Sequence, residues 1–183
     1  KFVTIKNRTT TGWSWKTHHV AITPSQRLHL NSNDAAITDA TSFNSTAPTS
    51  SVFSVGTSVG TNGSSDNMIA YCFADVQGYS KFGSYTGNGS TDGTFIYTGF
   101  KPAWVMFKRT SGGTSNWTML DTKRSPHNLM INELYANHPN AESQNGRDID
   151  CLSNGIKIRS SSAEINASGG SYIYMAFAEN PFV

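Results

Sequence analysis

The residues with the most chemical potential are few and scattered. His18 and His19 are adjacent, and with His29 they make the one histidine group that suggests a metal. Successive side chains on a strand point to opposite faces, so His18 and His19 cannot serve one ion without a bulge. No Cys, His or carboxylate follows at the spacing of a zinc or copper site, so no metal is expected and the pair reads as a strand edge with solvated histidines. Asp148 and Asp150 would lie roughly 7 Å apart on one face of an extended segment, within the range used by paired carboxylates in glycoside hydrolysis. Their setting, Asn145-Gly146-Arg147-Asp148-Ile149-Asp150, is a polar loop without aromatic walls to hold two carboxylates at different pKa values. They read as solvated loop residues. Gly87-Asn88-Gly89-Ser90-Thr91-Asp92-Gly93 is oxygen-rich but lacks the acidic positions and closing Glu of a calcium loop, and reads as a hairpin turn. No G-x-S-x-G elbow is present. The expectation is a protein with no catalytic residue and no cofactor.

The cysteines, Cys72 and Cys151, have no metal-ligand spacing, and Cys72 sits in the apolar run Met68-Ile69-Ala70-Tyr71-Cys72-Phe73 as a small buried hydrophobe. The aromatic residues offer a different chemistry. Trp13, Trp15 and Trp117, with Tyr79 and Tyr85, could stack on sugar rings if they lie on an exposed face. Burial in the core is the competing use of such large rings.

The elements that would position these residues come from a repeat. Phe2-Val3-Thr4-Ile5-Lys6 matches Trp104-Val105-Met106-Phe107-Lys108 at an offset of 102, and Trp13-Ser14-Trp15 matches Trp117-Thr118-Met119 at 104. Leu28-His29-Leu30-Asn31 answers Leu134-Tyr135-Ala136-Asn137 at 106, and the stretch from Asn62 to Asp75 aligns with Asn166 to Glu179 at 104. Four blocks in one order, with drift of a few residues, mark an internal duplication with loop-length changes. The first repeat occupies 1–75. Residues 76–183 hold linker strands followed by the second, complete repeat. Tyr79–Tyr85 and Phe95–Phe100 read as strands with no counterpart in the first repeat, which suggests either that the first is truncated and the chain a fragment of a longer one or that the two repeats are the halves of a single sandwich.

Alternation at Val3/Ile5, Trp13/Trp15, Val52-Phe53-Ser54-Val55 and Ile156-Lys157-Ile158 predicts strands with one face in the core and one in solvent. No stretch keeps a helical period, and one helical turn is plausible near Asn128–Ala136. Only 14% of residues are charged, and Ser, Thr, Asn and Gly supply the polarity. An all-β, antiparallel, jelly-roll-like sandwich in two divergent tandem copies is the expected fold, with under about a tenth helix. The net charge of +2 is spread along the chain, without the basic stripe that phosphate binding needs. No apolar run approaches 18 residues, so neither nucleic acid nor membrane insertion is expected.

The segments Lys81-Phe82-Gly83-Ser84-Tyr85-Thr86-Gly87-Asn88-Gly89 and Tyr97-Thr98-Gly99-Phe100-Lys101-Pro102-Ala103-Trp104-Val105 carry a further likeness. So do Leu152-Ser153-Asn154-Gly155-Ile156-Lys157 and Tyr172-Ile173-Tyr174-Met175-Ala176-Phe177-Ala178-Glu179-Asn180-Pro181-Phe182. As a set they resemble a repeat domain of tail-fibre and other structural proteins of marine bacteriophages. That resemblance implies a virion-exposed, extracellular, lectin-like sandwich and brings no catalytic residue with it. The expected role is a structural or adhesive module of a phage fibre in contact with bacterial surface glycans. A capsid-decoration or filament subunit without ligand is the alternative, and a polysaccharide-degrading enzyme a more remote one. The expected partners are other virion chains or copies of itself, in an oligomer.

Overall fold

The structure is a computed structural model, which describes residues 1–182. Strands run in the order β1 (Phe2–Asn7), β2 (Lys16–His19), β3 (Gln26–His29), β4 (Ile37–Thr38), β5 (Met68–Phe73), β6 (Ser80–Thr86) and β7 (Phe95–Tyr97). They continue with β8 (Pro102–Arg109), β9 (Thr118–Asp121), β10 (Leu134–Tyr135), β11 (Ile149–Leu152), β12 (Gly155–Ile158) and β13 (Ser171–Ala178). Two one-turn helices, α1 (Val59–Asn62) and α2 (Ala163–Asn166), precede β5 and β13. The fold is all-β, at 36% strand and 4% helix, and sandwich-like with antiparallel sheets, as the sequence predicts.

Three sheets form, in the orders β4-β3-β2-β1-β5, β10-β9-β8-β13-β6 and β11-β12-β7. They stack in layers through three apolar clusters. Tyr85, Ile96, Val105, Phe107, Ile149, Ile156 and Tyr172 join the three-stranded sheet to the second five-stranded one. Phe2, Leu28, Phe82, Met106, Trp117, Ile173 and Met175 join the two five-stranded sheets face to face. Val3, Ile5 and Phe43, with Phe53 and Val55, close the far side of the first repeat. Both faces of β1 and β8 are therefore covered, where alternation at Val3 and Ile5 predicts one wet face for β1. Polar residues fill some of the inward positions: Thr4 and Thr17 share a buried hydroxyl–hydroxyl hydrogen bond of 2.9 Å.

The repeat is explicit in the registers. Phe2 pairs with His19 and Phe73, and Trp104, 102 residues on, pairs with Asp121 and Phe177. Trp15 N–H donates to Asn31 Oδ1 at 2.8 Å, and Trp117 N–H donates to Asn137 Oδ1 at 2.8 Å. Trp15, not Trp13, is thus the counterpart of Trp117, and the offset of 104 expected for this block becomes 102. The helical turn expected near Asn128 to Ala136 is absent, and that segment carries a bridge at Met130 and the short β10. Val52–Val55, expected as a strand, is irregular, because its counterpart β12 is paired on both sides by β11 and β7 and the first repeat has no strand in the β7 position.

Candidate functional site

His18 and His19 are packed inside the fold. His18 and His19 face opposite sides of β2, as strand geometry requires, but both are about 1% exposed and not solvated. His18 packs against Phe43 with ring centroids 5.5 Å apart. His19 reaches the other layer, its Nδ1 accepting the Ala21 N–H at 3.0 Å and its Nε2 lying 3.3 Å from the Tyr174 carbonyl. Burial pushes the His19 imidazole down to about 4, and burial next to Arg27 and Lys16 does the same to His29. Among the described residues no three His, Cys, Asp or Glu side chains are grouped to hold a metal ion.

Most of the carboxylates singled out have partners, though among the described residues Asp148 does not. Asp150 is buried on β11, not in a solvated loop, and accepts from Arg159 Nε at 2.6 Å. Asp148 is half-buried, and desolvation together with the nearby Glu133 raises its pKa. Glu133 is fully buried and accepts from Tyr135 at 2.7 Å and Arg147 at 3.2 Å. Asp92 in the glycine-rich loop pairs with Lys157 at 2.7 Å. That loop is a crossover between two sheets, since β6 and β7 lie in different ones, and not the hairpin expected. Cys151 is buried, with its thiol pushed up to about 12 by desolvation, whereas Cys72 is exposed instead of buried.

Of the five candidate sugar-stacking rings, two are sealed. Trp117 is 1% exposed, and its indole Nε1 donates to the His29 carbonyl at 2.9 Å. Tyr85 is 9% exposed, stacks on Tyr172 at 4.9 Å and donates to the Ile165 carbonyl at 2.6 Å. Neither can receive a ligand, because each completes the packing between layers. Tyr79 is partly exposed, but Phe182 stacks over its ring at 5.6 Å. Trp13 is half-buried, with the Lys16 ammonium 5.6 Å from its ring centroid. Trp15 is half-buried too, and it has company that the sequence reading missed.

That company is Tyr71, 48% exposed, with its ring centroid 6.1 Å from that of Trp15. Both line the mouth of an apolar cleft of about 310 Å³ between the five-stranded sheets, with Phe2, Leu30, Phe73 and Met119. On the other face of β5 lies a groove of about 570 Å³, lined by Val3, Val52, Phe53 and Cys72 among others. β5 itself ends its sheet. The run Met68–Phe73 reads as core from composition. Its counterpart β13 is indeed core, because β6 covers its outer edge. In the first repeat no strand takes that place, and Tyr71, Cys72 and Phe73 reach solvent. The signal was the missing counterpart of Tyr79–Tyr85, not the run itself.

Fold and surface together define an internally duplicated, all-β, sandwich-like protein with an open sheet edge at β5 that carries exposed aromatic residues. The chain belongs to the family described as a domain of unknown function, DUF7483, which spans residues 1–181 and so takes in both repeats. No curated protein and no solved structure matches the chain.

Proposed function

We propose that the chain is a non-catalytic structural and adhesive module of a virion surface, part of a fibre, that contacts bacterial surface glycans at the Trp15–Tyr71 mouth. The resemblance to phage fibre repeats supports the setting. The observation that carries the reading is that one motif is built twice and used differently. Trp117, bonded to Asn137, is sealed inside the layer interface, whereas Trp15, joined to the exposed Asn31 by the same hydrogen bond, is only half-buried and lies beside an exposed tyrosine. Indole and phenol faces stack on the C–H faces of sugar rings, and the neighbouring Asn31 carboxamide supplies hydrogen-bonding capacity for hydroxyls. A single shallow aromatic site binds weakly, and repetition along a fibre would raise it through avidity.

A purely structural role in a capsid or filament is the second reading, favoured by the free edge of β5. A glycan array extended with bacterial surface polysaccharides separates the two. Adhesion predicts binding by the wild-type chain that Trp15→Ala and Tyr71→Ala each abolish, while Trp13→Ala leaves it in place. Absence of binding across all glycans overturns the adhesive reading and leaves the structural one.

A further inference from the structure

Four strands end the two five-stranded sheets, and three of them are closed to further pairing. β4 and β10 are two residues long. β6 is longer, but several of its outward groups are occupied: Asp75 Oδ1 takes the Phe82 N–H at 2.8 Å, and the Thr94 hydroxyl donates to the Thr86 carbonyl at 2.8 Å. Val76 bridges Ser80 at its start. Short strands and occupied backbone groups are the usual ways to blunt an edge. β5 has neither. It is six residues long, carries no charge, and among the described residues no side chain caps it.

The backbone phase of that edge follows from its inner side. Arg8 N–H donates to the Asn67 carbonyl at 2.8 Å, so residues 67, 69, 71 and 73 turn their polar groups to β1. The N–H and C=O groups of Met68, Ala70 and Cys72 therefore point outward. Their counterparts 104 residues on, Tyr172, Tyr174 and Ala176, meet Tyr85, Gly83 and Lys81 of β6. The groove next to the edge has an equally specific counterpart. Val3, Val52 and Cys72 line it, and the matching Val105, Ile156 and Ala176 belong to the cluster that encloses Ile96 of β7. The edge is thus an empty β6 position and the groove an empty β7 position.

We infer that the first repeat is a strand acceptor, which takes a two-strand segment of β6–β7 type. Main-chain pairing along Met68–Cys72 supplies affinity, and side-chain pockets supply selectivity. The first donor strand places an aromatic residue over Met68, as Tyr85 sits over Tyr172. The second brings a branched aliphatic residue into the groove, as β7 brings Ile96. One position must differ from β6. Gly83 is glycine because a Cβ there would lie 2.8 Å from the Tyr174 ring, whereas Ala70 stands in the place of Tyr174 and leaves room. The donor therefore carries an aliphatic side chain where β6 has glycine. Two β5 strands pairing edge to edge would satisfy the backbone but leave the groove empty, which disfavours a second copy as the occupant. This inference is independent of glycan binding.

The test uses the whole chain and a synthetic peptide of residues 80–98, with a second peptide carrying Gly83→Val. Cys72 lines the groove and is exposed, so its alkylation rate reports occupancy without any change to the protein. Acceptance predicts a one-to-one complex by native mass spectrometry, slowed alkylation of Cys72, and binding of the valine peptide tighter by about tenfold. Ala70→Pro removes an outward N–H alone and should abolish binding while leaving the β1 pairing in place. Unchanged Cys72 alkylation at millimolar peptide overturns the inference. So does a dimer of the chain alone in which Cys72 is already protected, which would make a second copy the occupant.

Discussion

Lowering the pH from 7 to 5 should destabilise this protein, and His19 should account for a measurable share. Its ring lies between the layers with Nδ1 as an acceptor for Ala21 N–H and Nε2 toward the Tyr174 carbonyl. Only the neutral tautomer with hydrogen on Nε2 satisfies both partners, and a second proton removes the acceptor. Burial accordingly holds the pKa near 4 against 6.5 for a free imidazole. The unfolded chain then binds more protons than the folded one between those values. Stability is fully present above pH 6.5 and is lost as pH falls towards 4. At pH 5 the loss from this one group is about 2 kcal/mol, from the two pKa values and 1.36 kcal/mol per unit. His29, also held near 4, adds a loss in the same direction. His19→Asn keeps an acceptor for Ala21 N–H and cannot titrate. Urea unfolding followed by tryptophan fluorescence at pH 7 and pH 5 gives the two differences. The variant should lose about 2 kcal/mol less than wild type over that interval. Equal losses in the two proteins would refute the account of His19.

Asn166→Ala should cost about 2–4 kcal/mol, because its fully buried carboxamide donates to Asn88, Ser90 and Ser160 and accepts from Asn88 N–H, leaving several groups unpaired. Chemical denaturation measures it, and a loss under about 1 kcal/mol would contradict that role. Iodoacetamide should label Cys72 in the native protein and spare Cys151 until denaturant is added, since only an accessible thiolate reacts. Peptide mapping that finds both labelled at the same rate would show that the Cys151 layer opens readily.

The fold class and the duplication were legible because they rest on local pattern: short apolar runs, glycine-rich turns and repeated blocks. The β3/β10, α1/α2 and β5/β13 blocks match at the offsets read from sequence. The Trp-x-Trp block slipped by two residues because either tryptophan can be matched to Trp117, and only the hydrogen bonds to Asn31 and Asn137 choose between them. Burial was less legible. Alternating patterns predict one wet face, but the join between the repeats covers one side, burying His19 and Lys108, and the Phe43 and Asp39 side of the first repeat covers the other, burying His18 and Lys16. Lys108 spans the join by donating to the Asn33 carbonyl at 2.9 Å, a contact that no spacing in the sequence announces. The Trp15–Tyr71 mouth was half legible. Trp15 was a candidate from its type, whereas Tyr71 is exposed only because a strand beside it is missing.

The two copies also differ in residue type along this edge. In the second repeat, Tyr85 from β6 lies against Tyr172, and the Tyr172 hydroxyl donates to Ala163 at 2.6 Å while accepting from Ala167 N–H at 2.8 Å. A stacked, fully hydrogen-bonded tyrosine is stable there because β6 excludes water. At the same position the first repeat has Met68, which needs no partner for a hydroxyl and adapts to an irregular surface. The same logic places Ala70 where Tyr174 stands and Cys72 where Ala176 stands. Asn166, buried and bonded on every side, corresponds to Asn62, which is exposed and donates to the Gly56 carbonyl at 2.9 Å. Without the β6–β7 strands the first repeat has no walls for a polar network, so its residues at these positions are small, flexible or solvated. An edge built this way costs little when empty and still has its hydrogen-bonding groups and a groove for an incoming strand.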